Sequence, residues 1–356
     1  MNMNKENIEK LENSLAKLVS NEQVIYFLTY DTKNNPRASV KYIYDIALTL
    51  KKGGFNSKIL VEDKTYQGVQ SWLGNDYDSL EILTIKDDRV EIKIEDIVVV
   101  PEYYSNVLEN LANIKCTKVM LVQQKEYIYE TLPIGSRWMN FGFDKVITTT
   151  EFTKKYINEY FKDSNVFIIP PIIGNNFTPN EKSPNPTISI FCRDRSINKK
   201  IISEFYLKYP QLRWINFKDM NQLTYIEFSD ALKDSFVSVW VDDDSTFGTF
   251  PLESMKCGVP VVGKIPKNEP DWLDENGMWT YDENKITEIL GKYVMAWIEG
   301  IELTDEVKQK MKDTLLPYDK EITEKNIIVI FESFRTNRIS VIEKALEKLN
   351  NEEIKI

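Results

Sequence analysis

Apolar runs of strand length alternate with amphipathic helical stretches along most of the chain. Residues 24–30 form a continuous apolar run, and residues 40–55 place apolar side chains at helical spacing before a Gly-Gly stop. A second strand-like run follows at residues 57–63. A strand, a loop, a helix and a strand within about 40 residues form a βαβ unit, which predicts a parallel sheet.

The same alternation continues through both halves of the chain, with an asparagine- and proline-rich break between them. Before the break, a helix is expected at 151–161 and strands at 94–104, 117–124, 144–150 and 165–171. After it, helices are expected near 198–208, 222–233 and 251–257, and strands at 187–192, 212–217, 238–241 and 259–263. We therefore expect an α/β protein with an N-terminal Rossmann-like domain over 1–172, a linker over 173–186, a C-terminal Rossmann-like domain over 187–330, and a helix over 331–356 that packs back on the N-terminal domain.

Length and composition agree with two folded domains. The chain has 356 residues, more than one ordinary core accommodates, and 42% of them are hydrophobic. No apolar run reaches the roughly 20 residues of a transmembrane helix. The periodic apolar residues Ile8, Leu11 and Leu15 indicate a helix that packs on the protein, not a signal peptide. Three widely spaced cysteines suit a reducing compartment, so we expect a cytoplasmic protein.

Charge and the lack of histidine exclude several function classes. The net charge of −10 argues against a non-specific grip on nucleic acid, so no nucleic-acid partner is expected. The chain contains no histidine, which removes a histidine base, Ser-His-Asp and Cys-His nucleophiles, and histidine-ligated metals. Chemistry must use carboxylates, lysine, arginine, tyrosine, hydroxyls, backbone amides or the substrate itself.

The richest candidate site lies at residues 236–263, where a predicted strand ends in three consecutive aspartates. A loop of small residues follows, and Pro251 then opens a helix, a position that proline favours. Ligands of open α/β sheets bind beyond the carboxyl ends of the strands. The free N–H groups of such a loop and helix start suit a diphosphate. Glu253, in the first helical turn, can accept two hydrogen bonds from a vicinal diol such as that of ribose.

The segment FGTFPLESMKCGVPVVG (residues 247–263) resembles the C-terminal signature of glycosyltransferase family 4, in which a Glu-x7-Glu motif precedes a similar helix. The resemblance implies a GT-B fold, with two Rossmann-like domains whose parallel sheets face a central cleft. It also implies that Glu253 holds the ribose of a nucleotide sugar. Amides of the preceding loop would contact the diphosphate and the donor sugar, which implicates Thr246, Phe247, Gly248 and Thr249.

This chain departs from the family pattern at the first glutamate, which contacts the donor sugar in the family. Ser245 stands eight residues before Glu253, and Asp244 directly precedes it. We therefore take Asp244 and Ser245 as the catalytic candidates, with Asp244 substituting for the glutamate after a one-residue shift. As an alternative, Glu253 is an ordinary first-turn glutamate that the helix dipole favours.

Two further segments match the family's donor site. Residues 192–200 follow the first strand of the second half, where the family carries an arginine and, five residues on, a lysine for the diphosphate. Arg195 and Lys200 have this spacing, and cations there would stabilise charge on the leaving diphosphate. A solvated charged turn is the alternative. The loop after residues 212–217 corresponds to the family's nucleobase site. The donor-binding candidates from these segments are Arg193, Arg195, Lys199, Lys200, Phe217 and Met220.

The N-terminal half binds the acceptor in such enzymes, and here it agrees with the family only in layout. The loop at residues 31–39 contains no glycine, unlike the family's glycine-rich loop. Aromatic residues at positions 103, 104, 127 and 129 either stack on sugar rings or pack in the protein. Strand ends and the first loop supply the acceptor-binding candidates Arg37, Glu102, Tyr103, Gln123 and Gln124.

The expected function is transfer of a sugar from a nucleotide diphosphate sugar to a glycan or other hydroxyl acceptor. The resemblance implies retention of configuration, and we expect no metal and no cofactor beyond the donor. The leaving phosphate can accept the acceptor's proton, so histidine is not required. Two alternatives stay open. Loss of the first glutamate favours an inactive GT-B protein that binds a nucleotide or scaffolds a partner. Asp242 and Asp244 form the Asp-x-Asp of metal-dependent GT-A transferases.

Overall fold

The first half of the chain folds around a parallel sheet in the computed structural model, which describes residues 2–66, 68–86, 90–104, 106–180 and 184–353. Within these ranges the sheet has seven strands, in the order β3-β2-β1-β4-β5-β6-β7. The elements in chain order are α1 (Asn2–Val19), β1 (Val24–Leu28), α2 (Ala38–Lys52), β2 (Asn56–Val61), α3 (Gln70–Leu73), β3 (Glu81–Thr84), β4 (Ile97–Pro101), α4 (Asn106–Ala112), β5 (Thr117–Val122), α5 (Lys125–Thr131), β6 (Lys145–Thr148), α6 (Glu151–Tyr160) and β7 (Asn165–Ile168).

The second half forms another parallel sheet, with five strands among the described residues in the order β12-β11-β10-β8-β9. Its elements are β8 (Thr187–Phe191), α7 (Arg195–Lys208), β9 (Asn216–Asp219), α8 (Tyr225–Lys233), β10 (Val237–Trp240), α9 (Thr249–Lys256), β11 (Val261–Lys264), β12 (Met278–Thr280), α10 (Ile286–Ile298), α11 (Asp305–Leu315) and α12 (Lys320–Glu353). Helix α12 continues from this half back to the first.

Helices cover both faces of the first sheet. The central strands β4 and β5 are buried along their whole length, as expected for parallel strands covered on both sides. Alternate residues of β1 pack against the helix layers on opposite faces of the sheet, because successive side chains of a strand point to opposite faces. Ile25 and Phe27 pack with α2 and α12, whereas Tyr26 and Leu28 pack with α4, α5 and α6. The predicted α/β class with parallel sheets is confirmed.

Helix α12 packs against the first half. Phe331 lies with its ring centroid 6.0 Å from that of Phe27, and Phe334 lies 5.0 Å from Phe167. The Arg338 side chain donates hydrogen bonds to the Ile94 carbonyl oxygen, at 2.9 Å from Nε. The helix begins at Lys320, before the start at 331 expected from the sequence. Within the described ranges, none of the helices is both long enough and apolar enough to traverse a bilayer.

One predicted strand lies elsewhere in the structure, and two observed strands were not predicted. The strand expected at 212–217 lies at β9 because Pro210 starts a short 3-10 turn, and the apolar residues Leu212 and Ile215 fill the core before the strand begins. Strands β3 and β12 were missed. They are partly exposed edge strands, with Leu83 the one buried residue of β3, so neither carries a strong apolar run.

The asparagine- and proline-rich segment expected as a linker is partly anchored. Ile173 is 1% exposed and Phe177 is fully buried, and both pack in the core of the second half. The Lys256 amine donates to the Ile173 carbonyl oxygen at 2.9 Å. The start of this segment therefore belongs physically to the C-terminal core.

Candidate active site

The strand order of the second sheet predicts where a ligand binds. Chain order reverses between β8 and β10, and open α/β sheets bind ligands at such switch points, beyond the carboxyl ends of the strands. Arg193 follows β8, and Asp242 follows β10. Arg193 Nε donates to Asp242 Oδ2 at 2.8 Å, with the arginine partly exposed and the aspartate buried. Burial raises the pKa of Asp242, and Arg193 offsets part of that rise.

The three aspartates after β10 face different partners. Asp243 accepts a hydrogen bond from Lys264 Nζ at 2.6 Å, while Asp244 is exposed and lies 3.9 Å from Lys267 Nζ. The described part of the chain contains no group of three or more cysteine or carboxylate side chains placed to hold a metal ion. This loop therefore consists of separate ion pairs, with Asp244 the most accessible acid.

The loop that joins the aspartates to α9 is tightly held. Gly248 adopts a φ of +69°, and a Cβ there would lie 2.7 Å from the Trp240 ring. The Trp272 indole N–H donates to the Phe247 carbonyl oxygen at 2.6 Å. Thr246 is 3% exposed, and its hydroxyl oxygen has no hydrogen-bond partner among the described residues. The loop thus presents a rigid backbone and one unpartnered hydroxyl at the start of α9.

Glu253 is a buried carboxylate in the second turn of α9. The helix begins at Thr249, two residues before the start at Pro251 expected from the sequence, so the expectation that Glu253 lies in the first turn is wrong. It is 6% exposed, and no described residue donates a hydrogen bond to it. Burial raises the pKa of Glu253 to about 7, Lys41 lowers it and Asp45 raises it. A buried acid without donors is costly in the ionised form, so a ligand that supplies two O–H donors would relieve that cost.

A charged cluster from the first half lies close enough to Glu253 to shift its pKa. Lys41 Nζ donates to Asp45 at 2.7 Å, and the Tyr77 hydroxyl donates to the same carboxylate at 2.6 Å. The Lys41 amine also lies 4.8 Å above the ring of Tyr225, at the start of α8. Burial lowers the pKa of Lys41, but Asp45, Tyr225 and Tyr77 raise it by more, and the amine stays charged. The cluster joins α2 to the second half beside the candidate ribose site.

Sequence reasoning missed Lys41 and Asp45. Their spacing of four residues on α2 fits an ion pair along one helical face, but such pairs are common on exposed helices. Only burial of the pair and the contact of Lys41 with Tyr225, at the start of α8, distinguish it from a surface pair.

We predict that the ligand-free protein loses stability as the pH rises through about 7. Glu253 has a raised folded pKa, so the folded state binds its proton more tightly than the unfolded state. The resulting stability is complete below about pH 4.5 and is lost as the acid ionises. Replacing Glu253 with glutamine should raise the free energy of unfolding near pH 8 by about 2 kcal/mol and have little effect near pH 4.

Urea unfolding of both proteins at the two pH values measures this effect. Glu102 has a pKa raised to about 7 by burial and is unchanged in the variant, so it contributes equally to both proteins. An equal difference between the two proteins at both pH values would contradict the prediction.

The structure separates the predicted donor cations. Arg195 Nε lies 3.5 Å from Oδ2 of Asp219, the last residue of β9, near the carboxyl ends of the strands. Lys200 pairs instead with Glu283 at 2.9 Å, beyond the opposite edge strand β12. Lys199 is exposed on the same helix. Of these four candidates, Arg193 is the one that contacts the aspartate loop. A diphosphate role for Lys199 or Lys200 stays a prediction.

The two nucleobase candidates turn their side chains into the core. The Phe217 ring packs on Phe205 and Tyr206, with centroids 5.3 and 5.6 Å away. Met220 is 1% exposed. Met220 can therefore contact a base only through its backbone, whereas Phe217 lies within β9 and is partly buried.

The acceptor candidates meet at the switch point of the first sheet, between β1 and β4. Glu102 is 2% exposed, and its Oε1 accepts hydrogen bonds from the backbone N–H groups of Gln123 and Gln124, at 3.0 and 2.9 Å. Gln123 Nε2 donates to the carbonyl oxygen of Ser39 in the first turn of α2, next to the exposed N-cap residue Arg37. Glu102 thus orders the loop after β5.

A hydrogen bond places this loop against the second half. Gln124 Nε2 donates to the Asp244 carbonyl oxygen at 3.4 Å, so the strand ends of both sheets meet here. Tyr103 packs edge-on against Tyr30, and Tyr104 donates to the Thr29 carbonyl oxygen, so both rings are engaged inside the first half. Acceptor contacts by these residues stay predictions.

Comparison with known proteins gives one sequence relative and many similar structures. No family model matches the chain. An alpha-1,6-glucosyltransferase of Actinobacillus pleuropneumoniae is 23% identical over 265 residues, covering 70% of this chain and 78% of the relative.

Similar structures cover almost the whole fold. Anabaena HepE in complex with UDP-glucose has a TM-score of 0.62 at 11% identity, covering 87% of this chain and 99% of HepE. The pneumococcal O-GlcNAc transferase GtfA, in complex with UDP and GlcNAc, has a TM-score of 0.61 at 9% identity, with 92% and 99% covered. The fold is GT-B. The alternative of a GT-A transferase is therefore wrong, because a GT-A protein has a different fold from GT-B.

Proposed function

We infer that this chain is a glycosyltransferase that moves a sugar from a nucleotide diphosphate sugar to a hydroxyl acceptor. The inference rests above all on Glu253, a buried carboxylate without a described hydrogen-bond donor at the switch point of a GT-B fold. The vicinal diol of a ribose supplies the two O–H donors that this carboxylate lacks. The glucosyltransferase relative supports the same activity.

Around this anchor we propose a role for each neighbouring group. The backbone N–H groups at the start of α9 and the Thr246 hydroxyl would bind the diphosphate. Arg193 would face the same phosphates, with Asp242 orienting its guanidinium. Ser245 and Asp244 would contact the donor sugar in place of the missing glutamate. Gln124, Glu102 and their loop would position the acceptor beside Asp244.

The proposed reaction has one substitution at the anomeric carbon. The bond between that carbon and the β-phosphate oxygen breaks, and a bond to the acceptor oxygen forms. The acceptor proton passes to the leaving phosphate, so no protein base is needed. Arg193 and the loop amides would stabilise the negative charge that develops on the diphosphate. Electrostatic stabilisation of this kind is usually the largest single contribution to catalysis.

The finer assignment is a proposal built on the relatives. We propose UDP-glucose as the donor, since the sequence relative is named a glucosyltransferase and the HepE complex holds UDP-glucose. We further propose membership of glycosyltransferase family 4, retention of configuration and no metal requirement, on the match of residues 247–263 to that family's signature. A cytoplasmic location is proposed on the three free, buried cysteines.

The test is a thermal-shift screen of UDP, UDP-glucose, UDP-GlcNAc, ADP-glucose and GDP-mannose, followed by donor hydrolysis. A ligand at about 100 times its Kd stabilises the folded state by about 2.7 kcal/mol. For a chain of this size we expect UDP-glucose to raise Tm by about 5 °C or more. No shift with any nucleotide would defeat the proposal. A shift with UDP-glucose but no hydrolysis or transfer would instead favour the inactive, nucleotide-binding alternative that Ser245 suggests.

A further inference from the structure

Exposed aromatic rings line one surface of the first half, on α5 and α6. Phe152, Tyr156 and Tyr160 follow each other at four-residue spacing on α6, which places them on one helical face. Tyr129 and Lys125 lie on the adjoining face of α5, also four residues apart. We call these five residues the aromatic strip.

The strip is continuous. Lys125 Nζ lies 5.5 Å from the ring centroids of both Phe152 and Tyr156. The ring centroids of Tyr129 and Tyr156 are 6.4 Å apart, and those of Tyr156 and Tyr160 are 4.8 Å apart. A path of adjoining rings thus runs along both helices.

Of the rings in the strip, Tyr156 packs partly against the core of the first half. The main anchors of α5 and α6 are Ile128 and Ile157 on their opposite faces, which are fully buried. Tyr129, Tyr160 and Phe152 are 59%, 53% and 38% exposed. A surface of adjoining exposed aromatic rings is unusual on a monomer and indicates a binding site.

The strip begins where the two halves of the molecule meet. Glu126 is paired with Lys125 at 2.9 Å and accepts a hydrogen bond from Asn268 of the second half at 3.1 Å. Gln124, directly before α5, contacts the Asp244 backbone, and the Glu151 N–H at the start of α6 donates to Asp271 at 2.6 Å. The strip is therefore continuous with the cleft in which transfer is proposed.

We propose that the aromatic strip binds a chain of linked sugars, the part of the acceptor that extends out of the cleft. This inference rests on the proposed function. The C–H face of a pyranose stacks on an aromatic ring, and tyrosine hydroxyls can bond to the sugar's hydroxyl rim. Several adjoining rings fit a chain of sugars better than a single one. The neighbouring helix positions mix acids and lysines, which does not suit an anionic membrane surface.

Kinetics with acceptors of two lengths test the proposal. The probes are isomaltose and isomaltopentaose, with UDP-glucose as donor. Replacing Tyr129 and Tyr160 together with alanine should raise KM for isomaltopentaose about tenfold. KM for isomaltose and donor hydrolysis without acceptor should stay unchanged, because neither ring reaches the donor loop. The matched control is Tyr281→Ala, which removes a 71% exposed tyrosine of the second half and should change none of these values.

Tyr129→Phe separates stacking from hydrogen bonding. This variant keeps the ring, so it should retain most of the preference for the longer acceptor. Equal KM values for isomaltopentaose in wild type and the double variant would overturn the proposal. So would sedimentation with vesicles of phosphatidylcholine and phosphatidylglycerol that depends on Tyr129, because the strip would then be a membrane contact.

Direct binding distinguishes a failure of this inference from a failure of the proposed function. Isothermal titration of isomaltopentaose into the protein needs neither donor nor turnover. Binding that the double variant loses supports the strip even if no nucleotide binds. Nucleotide binding and donor hydrolysis without any isomaltopentaose binding would refute the strip and leave the proposed function intact.

Discussion

Replacing Glu253 with alanine should lower the affinity for UDP about 100-fold. The carboxylate is proposed to accept two hydrogen bonds from the ribose, and a hydrogen bond to a charged group contributes about 1.5–3 kcal/mol. A net loss of about 3 kcal/mol corresponds to roughly a 100-fold change in Kd. Isothermal titration of UDP near pH 8, where Glu253 is ionised, measures the effect directly. The same variant should lower kcat/KM for donor hydrolysis by a similar factor.

The matched control is Glu227→Ala. Glu227 occupies the third position of α8, where it forms a capping box with Thr224. Its loss should cost about 1 kcal/mol of stability and leave UDP affinity unchanged. If Glu253 contributes only to the helix, as Glu227 does, its alanine variant will bind UDP as tightly as the wild type does, and the ribose assignment will be wrong.

Replacing Gly248 with alanine should destabilise the protein by about 4 kcal/mol and abolish the ordered donor loop. The new Cβ would lie 2.7 and 2.8 Å from the ring of Trp240, which is 1% exposed and cannot move without disturbing the core. Overpacking of this kind costs about 1–3 kcal/mol. A left-handed φ of +69° adds strain of about 1–3 kcal/mol for a residue with a side chain. UDP affinity should fall together with stability.

Gly300→Ala isolates the contribution of backbone strain. Gly300 has a φ of +74°, but no neighbouring atom lies within 4 Å of the position that an alanine methyl group would occupy. Its alanine variant should lose only about 1 kcal/mol and keep full UDP affinity. Urea unfolding of both variants measures the difference, and equal losses would show that the contact with Trp240 is unimportant.

Much of the local structure around Glu253 could be predicted, because it depends on residues that are close together in the sequence. The strand, the small-residue loop, Pro251 and Glu253 follow one another within residues 236–263, so their arrangement depends on short-range geometry. Residue spacing alone did not predict the position of Lys200. Arg195 and Lys200 have the expected separation, but residues five apart on a helix point about 140° away from each other. Once α7 begins at Arg195, the two cations cannot face the same phosphate group directly.

The acceptor side could not be predicted to the same depth. The sequence identifies Glu102 only as a strand-end residue. In the structure its buried carboxylate accepts two backbone hydrogen bonds from the loop after β5. The sequence does not distinguish Tyr129 from the other tyrosines that could stack on a sugar. Its significance comes from the neighbouring Tyr156 and Tyr160, which belong to another helix.

The sequence by itself determined the α/β class, the two parallel sheets and the position of the loop before α9, because apolar periodicity and short-range turns specify them. Only the tertiary structure decided that Lys41 and Asp45 lie near Glu253, that Arg193 pairs with Asp242, and that the rings of α5 and α6 adjoin the cleft. These contacts join residues far apart in the chain. Their geometry depends on how the helices pack on two sheets, which no local pattern encodes.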